Sequence, residues 1–126
     1  MAVAVVQLRG LALRLLSILT QPELLRLRRL VIAQAERFPE IGRNWFAQGF
    51  GRVLATLAAS FESHAAEGRL VFSDAHMAAE HFVGLVLWIP LNNAMFSGEV
   101  NFKPSELQRY ANGAVEVFLN GYVARN

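Results

Sequence analysis

Apolar side chains return at every third or fourth position along most of this chain, the spacing that puts them on one face of an α-helix. Leu8, Leu11, Ala12, Leu15, Ile18 and Leu19 form the first such stripe and predict a helix over residues 3–19. A second stripe, Leu24, Leu27, Val31, Ala35 and Phe38, predicts a helix ending at Phe38, with Arg26, Arg29 and Arg37 off the face. Thr20-Gln21-Pro22-Glu23 ahead of it has the form of a capping box. Pro39 ends that helix, because proline disfavours helical dihedrals in the residue before it, and the same ring suits the first turn of the next. A short third helix through about Gln48 therefore begins at a corner without a loop and carries two adjacent aromatics, Trp45 and Phe46.

Gly49 and Gly51 flank Phe50, and a fourth helix is expected to about Glu67, with Phe50, Val53, Leu54, Leu57, Ala58, Phe61 and Ala65 on its stripe. Gly68 sits where a C-terminal cap belongs. After a connector over residues 69–73, Ser73 or Asp74 caps a fifth helix that is apolar nearly all round from Phe82 to Leu91, as in helices covered on more than one side. Pro90 inside it is expected to kink it. A loop over residues 97–103 leads to Pro104, which opens a sixth helix with Glu106 near the positive end of its dipole. Its stripe is Leu107, Tyr110, Ala111, Ala114, Val117, Phe118, Gly121 and Tyr122, and small residues among aromatics suit close helix packing. The pattern predicts an all-α fold of about six helices in one domain, residues 1–126.

Composition sharpens this. Hydrophobic residues make up 54% and charged residues 17% of 126, too apolar for disorder and high for a small monomer. The excess points to a dimer interface or a lined cavity. With no cysteine, disulfides and Cys-based zinc or redox sites are excluded. The formal charge is +2, and eleven of the twelve cations are arginine. They form no basic region, and no zinc-finger, RNA-recognition or P-loop motif is present. The first ten residues lack a positive leader, and Arg9 and Arg14 interrupt the first apolar run. The ten uncharged residues from Phe82 to Leu91 are half of what a bilayer crossing needs. A cytoplasmic location without membrane insertion is expected. Association of the first helix with a membrane surface is a weaker alternative.

Candidate chemistry is sparse. His76 and Glu80 share a helix face, but zinc-binding helices place two histidines four apart, and His76 and His81 are five apart. No metal, cofactor or nucleophile–base pair is implied, and an enzyme is not expected. Arg26, Arg28, Arg29 and Arg37 spread around the second helix as a solvated face. Asn92 and Asn93 follow Pro90 in the apolar helix, and an unpaired carboxamide there costs about 1–3 kcal/mol. Its partner is either a ligand or water, or a carbonyl freed by Pro90.

Leu30-Val31-Ile32-Ala33-Gln34-Ala35-Glu36-Arg37-Phe38-Pro39-Glu40-Ile41, the pair Trp45-Phe46, Gly49-Phe50-Gly51-Arg52-Val53-Leu54, Ala65-Ala66-Glu67-Gly68-Arg69-Leu70 and Ala78-Ala79-Glu80-His81-Phe82-Val83-Gly84-Leu85 together resemble the C-terminal domain of a TetR/AcrR-family transcriptional regulator of the AefR-like type. The resemblance covers nearly the whole chain and rests on order and spacing. It implies a homodimer in which the last two helices form a four-helix bundle with a partner's, and a small effector bound in the domain, which the mostly apolar candidate liners make lipophilic or amphipathic. It also implies DNA binding only through an N-terminal helix-turn-helix domain, and no helix-turn-helix is present in these 126 residues. The expected effector liners are Trp45, Phe50, Leu54, Trp88, Asn92 and Phe96, for each of which plain core packing is the competing assignment. The expected dimer contacts are Leu107, Tyr110, Ala111, Ala114 and Phe118. A stand-alone helical dimerisation module without a ligand is the alternative function.

Overall fold

The structure is a computed structural model and describes residues 2–98 and 102–123. Six α-helices follow one another: α1 Ala2–Leu19, α2 Pro22–Gln34, α3 Pro39–Phe46, α4 Arg52–Ala66, α5 Ala75–Ser97 and α6 Pro104–Tyr122. Among the described residues there is no strand. One antiparallel bridge joins Leu70 to Val123, where the Val71 amide donates to the Tyr122 carbonyl at 2.7 Å. The expected loop over residues 97–103 lies partly outside the described residues.

The core lies where α1, α4, α5 and α6 meet. Leu8, Ala12 and Leu16 of α1, Leu57 and Phe61 of α4, Ala79, Phe82 and Val86 of α5, and Ala111, Val115 and Phe118 of α6 are all buried. Three rings form its centre. Phe61, Phe82 and Phe118 have centroids 5.7, 5.1 and 5.2 Å apart, and two of the three pairs meet edge to face, an arrangement that lets the positive edge of one ring meet the negative face of another. Among the described residues, no single helix is long and apolar enough to cross a membrane.

The helix ends follow from local chemistry. Asp74 caps α5 by accepting from the Met77 amide at 3.1 Å. Gly68, at φ +77°, ends α4 with two returning bonds, Arg69 N–H to the His64 carbonyl and Gly68 N–H to the Ala65 carbonyl. That pairing satisfies carbonyls a helix end leaves free. At the α2–α3 corner Phe38 takes φ −128° and ψ 73°, out of the helical region as its following proline requires. A side chain at Gly42 would start 3.3 Å from Ala35 Cβ, so glycine lets the two helices meet closely at this bend.

Several expectations are corrected. Thr20 does not cap α2: its hydroxyl donates back to the Leu16 carbonyl at 2.6 Å, and Gln21 is the capping position with no side-chain bond. A hydroxyl near a helix end has both options, and here the preceding turn wins. The Gly49–Gly51 pair does not break the chain between α3 and α4. A π-helical segment, Ala47–Gly51, carries the backbone from one to the other. Nor does α2 bury the stripe assigned to it, since Leu25 is its one buried side chain and Leu27 and Phe38 are exposed.

Candidate functional site

Two apolar chambers flank the π segment. The first, a partly open cleft of about 400 Å³, is lined by Leu15, Ile18 and Leu19 of α1, Leu24 and Arg28 of α2, Asn44 and Trp45 of α3, Gln48 to Phe50 of the π segment, and Val53 of α4. The second, about 310 Å³, lies between α2, α4 and α5 and is bounded by Phe46, Leu54, Val83, Leu87, Trp88, Leu91 and Asn92, with Glu80 at its edge. Arg28 and Phe50 line both. A π segment inserts one residue per turn into a helix and often marks a functional position. Here it opens the α3–α4 junction, with Trp45 and Phe50 on the wall of the first chamber.

Arg28 is the one cation lining both chambers. Its guanidinium sits 5.4 Å from the centroid of the Phe50 ring, a cation–π distance. Its Nε is buried with no hydrogen-bond partner. Burial pushes its pKa below the ordinary value, yet a guanidinium stays charged at neutral pH.

The neighbouring Arg29 has a different task. It donates from Nη2 to the Ala94 carbonyl at 2.7 Å and the Gly98 carbonyl at 3.3 Å, and from Nε to the Met95 carbonyl at 3.2 Å. These are carbonyls at the C-terminal end of α5, where the helix dipole favours a cation. Charge-assisted bonds of this kind contribute about 1.5–3 kcal/mol each to a partly buried site before the cost of ordering the side chain. Arg29→Ala is expected to destabilise the domain by about 2 kcal/mol and to raise amide exchange in the last turn of α5, measured by hydrogen–deuterium exchange. Unchanged protection at residues 94–98 would refute the cap.

The structure brings together five of the six residues expected to line an effector site, but in two chambers. Trp45 and Phe50 line the first, and Phe50, Leu54, Trp88 and Asn92 the second. Phe96 joins neither chamber and is 88% exposed on α5, because it points from a different face of the helix than Leu91 and Ala94. Asn92 does not wait for a ligand: its Nδ2 donates to the Trp88 carbonyl at 2.7 Å, and Asn93 Oδ1 accepts from Ser97 at 2.8 Å. Of the residues expected at a dimer contact, Ala111, Ala114 and Phe118 are buried in the protomer's own core, and Leu107 and Tyr110 are half-buried. Periodicity identified that stripe as buried but not what buries it.

Sequence reasoning missed Arg28 and the α1 residues. Arg28 was grouped with a solvated face, although it falls four residues after Leu24 and three before Val31 on an otherwise apolar stripe. The histidines diverge: His76 pairs with Glu80 at 3.9 Å, His81 Nδ1 lies within hydrogen-bonding distance of the Tyr122 hydroxyl, and buried His64 accepts at Nδ1 from Arg69. Among the described residues, no group of three or more His, Asp or Glu side chains converges on a metal position.

The model of the AefR-like transcriptional repressor C-terminal domain matches residues 6–124. The chain belongs to this TetR-family domain. A crystal structure assigned to the TetR-family regulators, from Mesorhizobium loti MAFF303099, is 44% identical, with a TM-score of 0.89 over 93% of this chain and 58% of that one. A TetR family transcriptional regulator from Pseudomonas syringae pv. tomato str. DC3000 shares the fold at 23% identity, with a TM-score of 0.75 over 94% of this chain and 60% of that one. The TetR-like chain thus spans about three-fifths of the length of these solved regulators. No curated protein matches it.

Proposed function

We propose that the chain is the effector-sensing and dimerisation domain of a TetR-family transcriptional regulator, acting in the cytoplasm and without catalysis. The observation that carries the sensing role is the first chamber, an apolar space of about 400 Å³ walled by Trp45, Phe50 and three residues of α1. That volume lies in the usual range for small-molecule sites, about 300–1,000 Å³. Its lining selects a lipophilic ligand. The same open space weighs against a dimerisation module without a ligand, for which a filled core is expected.

Helix α2 is placed to transmit occupancy. One of its residues, Arg28, lines the chambers, and the next, Arg29, holds the end of α5. A ligand that favours one position of α2 would therefore bias α5. In a regulator whose DNA-binding domains lie upstream, that bias would change their spacing and with it the affinity for successive major grooves.

Dimerisation is proposed through the outward faces of α5 and α6. Leu85, Ile89 and Phe96 of α5 are exposed at helical spacing. On α6, Val117 is exposed and Gly113 and Gly121 are open, with nothing in the protomer near where a Cβ would stand. Glycines there are not required by the protomer and suit close approach of a partner helix.

The sensing role is tested with N-phenyl-1-naphthylamine, a neutral lipophilic probe, and the variant Val53→Phe, which fills the first chamber. The wild type is expected to bind the probe with energy transfer from Trp45, and Val53→Phe to weaken binding at least tenfold with the helical content unchanged by circular dichroism. Equal binding by the two proteins would refute the assignment.

A further inference from the structure

We propose that the effector is an amphipathic anion, an organic carboxylate whose apolar body fills the first chamber and whose carboxylate is held by Arg28. The inference rests on the effector-site reading above and names the chemistry of its ligand.

Three observations converge on Arg28. It lines two spaces that are otherwise apolar on nearly all sides. Among the described residues its guanidinium forms no ion pair with a carboxylate and lies 5.4 Å from the centroid of the Phe50 ring, while Glu80, the acid bordering the second chamber, stands 3.9 Å from His76. Its Nε is buried and makes no hydrogen bond. A half-buried cation with an unused donor carries a desolvation cost that the Phe50 ring offsets only in part. Burial also acts on its proton affinity in the direction that cost requires.

The same arginine shows what offsets it. A guanidinium presents its donors in a planar fork that matches a carboxylate with two parallel bonds. Arg28 and Phe50 are both partly withdrawn from solvent, so such a pair is worth more there than at a fully exposed surface. The α1 and α3 walls, Leu15, Ile18 and Trp45, then cover the apolar body. The adjacent Arg29 is already committed to the Ala94 and Met95 carbonyls, so of the two arginines only Arg28 would read the anion. A neutral lipid or hydrocarbon would leave the guanidinium without an anionic partner and gain only from the walls.

The test is isothermal titration of the purified chain at neutral pH with two matched pairs, decanoate against 1-decanol and 1-naphthylacetate against 2-(1-naphthyl)ethanol. At least one acid is expected to bind at least tenfold more tightly than its alcohol, about 1.4 kcal/mol. In Arg28→Gln that preference is expected to vanish while the alcohol's affinity stays within twofold. Arg28→Lys, which keeps the charge but loses the fork, is expected to recover part of it. Alcohols and acids binding the wild type equally would overturn the anion inference and leave the lipophilic site standing. A preference that survives in Arg28→Gln would overturn the role of Arg28. Failure of all four compounds to bind would overturn the effector site itself.

Discussion

Phe118→Ala is expected to destabilise the domain by about 3–5 kcal/mol, the largest single-residue loss in this fold. Phe118 is 1% exposed and touches more rings than any other side chain described: Phe61 at 5.1 Å, Phe82 at 5.2 Å and Tyr122 at 4.8 Å between centroids. Truncation removes the buried ring and its aromatic contacts and leaves a void between α4, α5 and α6. The void cannot close cheaply, because Phe61 and Phe82 already hold each other at 5.7 Å. Domains of this size are stable by about 5–15 kcal/mol, so the loss is a large part of the total. A fall in melting temperature of roughly 10–20 °C follows from the usual unfolding entropy. Thermal and urea melts at one fixed protein concentration measure it, since the proposed dimerisation would make stability depend on concentration. A loss under about 1 kcal/mol would place Phe118 outside the core and would reopen its assignment to a dimer contact.

Ile89→Asp is expected to convert a dimer into a monomer without unfolding the protomer. Ile89 is 58% exposed, between Leu85 and Phe96 on the outward stripe of α5, so the protomer loses little when it changes. In a two-fold dimer every substitution occurs twice. Losing the burial of two isoleucines costs about 3–6 kcal/mol, and two buried carboxylates without partners add to it. The dissociation constant is expected to rise by a factor on the order of 100 to 10,000. Sedimentation equilibrium of the wild type and the variant, with circular dichroism to follow folding, gives both quantities. A variant that remains dimeric would move the interface off this face of α5.

The two predictions separate what the sequence could and could not say about α6. Part of its stripe was legible: Ala111, Ala114 and Phe118 recur at helical spacing and are buried, whereas Val117 of the same expected stripe is exposed and the buried Val115 was not on it. The assignment to a partner was not legible, because periodicity reports that a face is covered and not by which chain. Helix order, the Pro39 corner, the Gly68 and Asp74 caps and the family were all readable, since each depends on local rules or on order along the chain. The π segment was not, because Gly49 and Gly51 look the same whether a helix stops or widens. Arg29 was unreadable for a different reason. Its partners are backbone carbonyls at Ala94, Met95 and Gly98, more than sixty positions away, and carbonyls carry no sequence signal. Arg28 could have been found, since a charge between Leu24 and Val31 interrupts an apolar stripe.

Among the candidate site residues, the aromatics were placed best. Trp45 and Phe50, on the short elements around the bend, line the first chamber, and Trp88 of the long helix α5 borders the second while staying largely exposed. Phe96 departs from that pattern through helix phase: it lies seven residues after the exposed Ile89, on that face of α5 and not on the face of buried Ala94.

Native mass spectrometry of the purified chain with decanoate and 1-naphthylacetate tests the central claim most directly, that one domain both pairs and holds a small ligand. The account predicts a species at twice the 14.0 kDa chain mass, carrying one acid per protomer, with the adduct lost in Val53→Phe and the dimer retained. A monomer, or an adduct that Val53→Phe leaves intact, would contradict it.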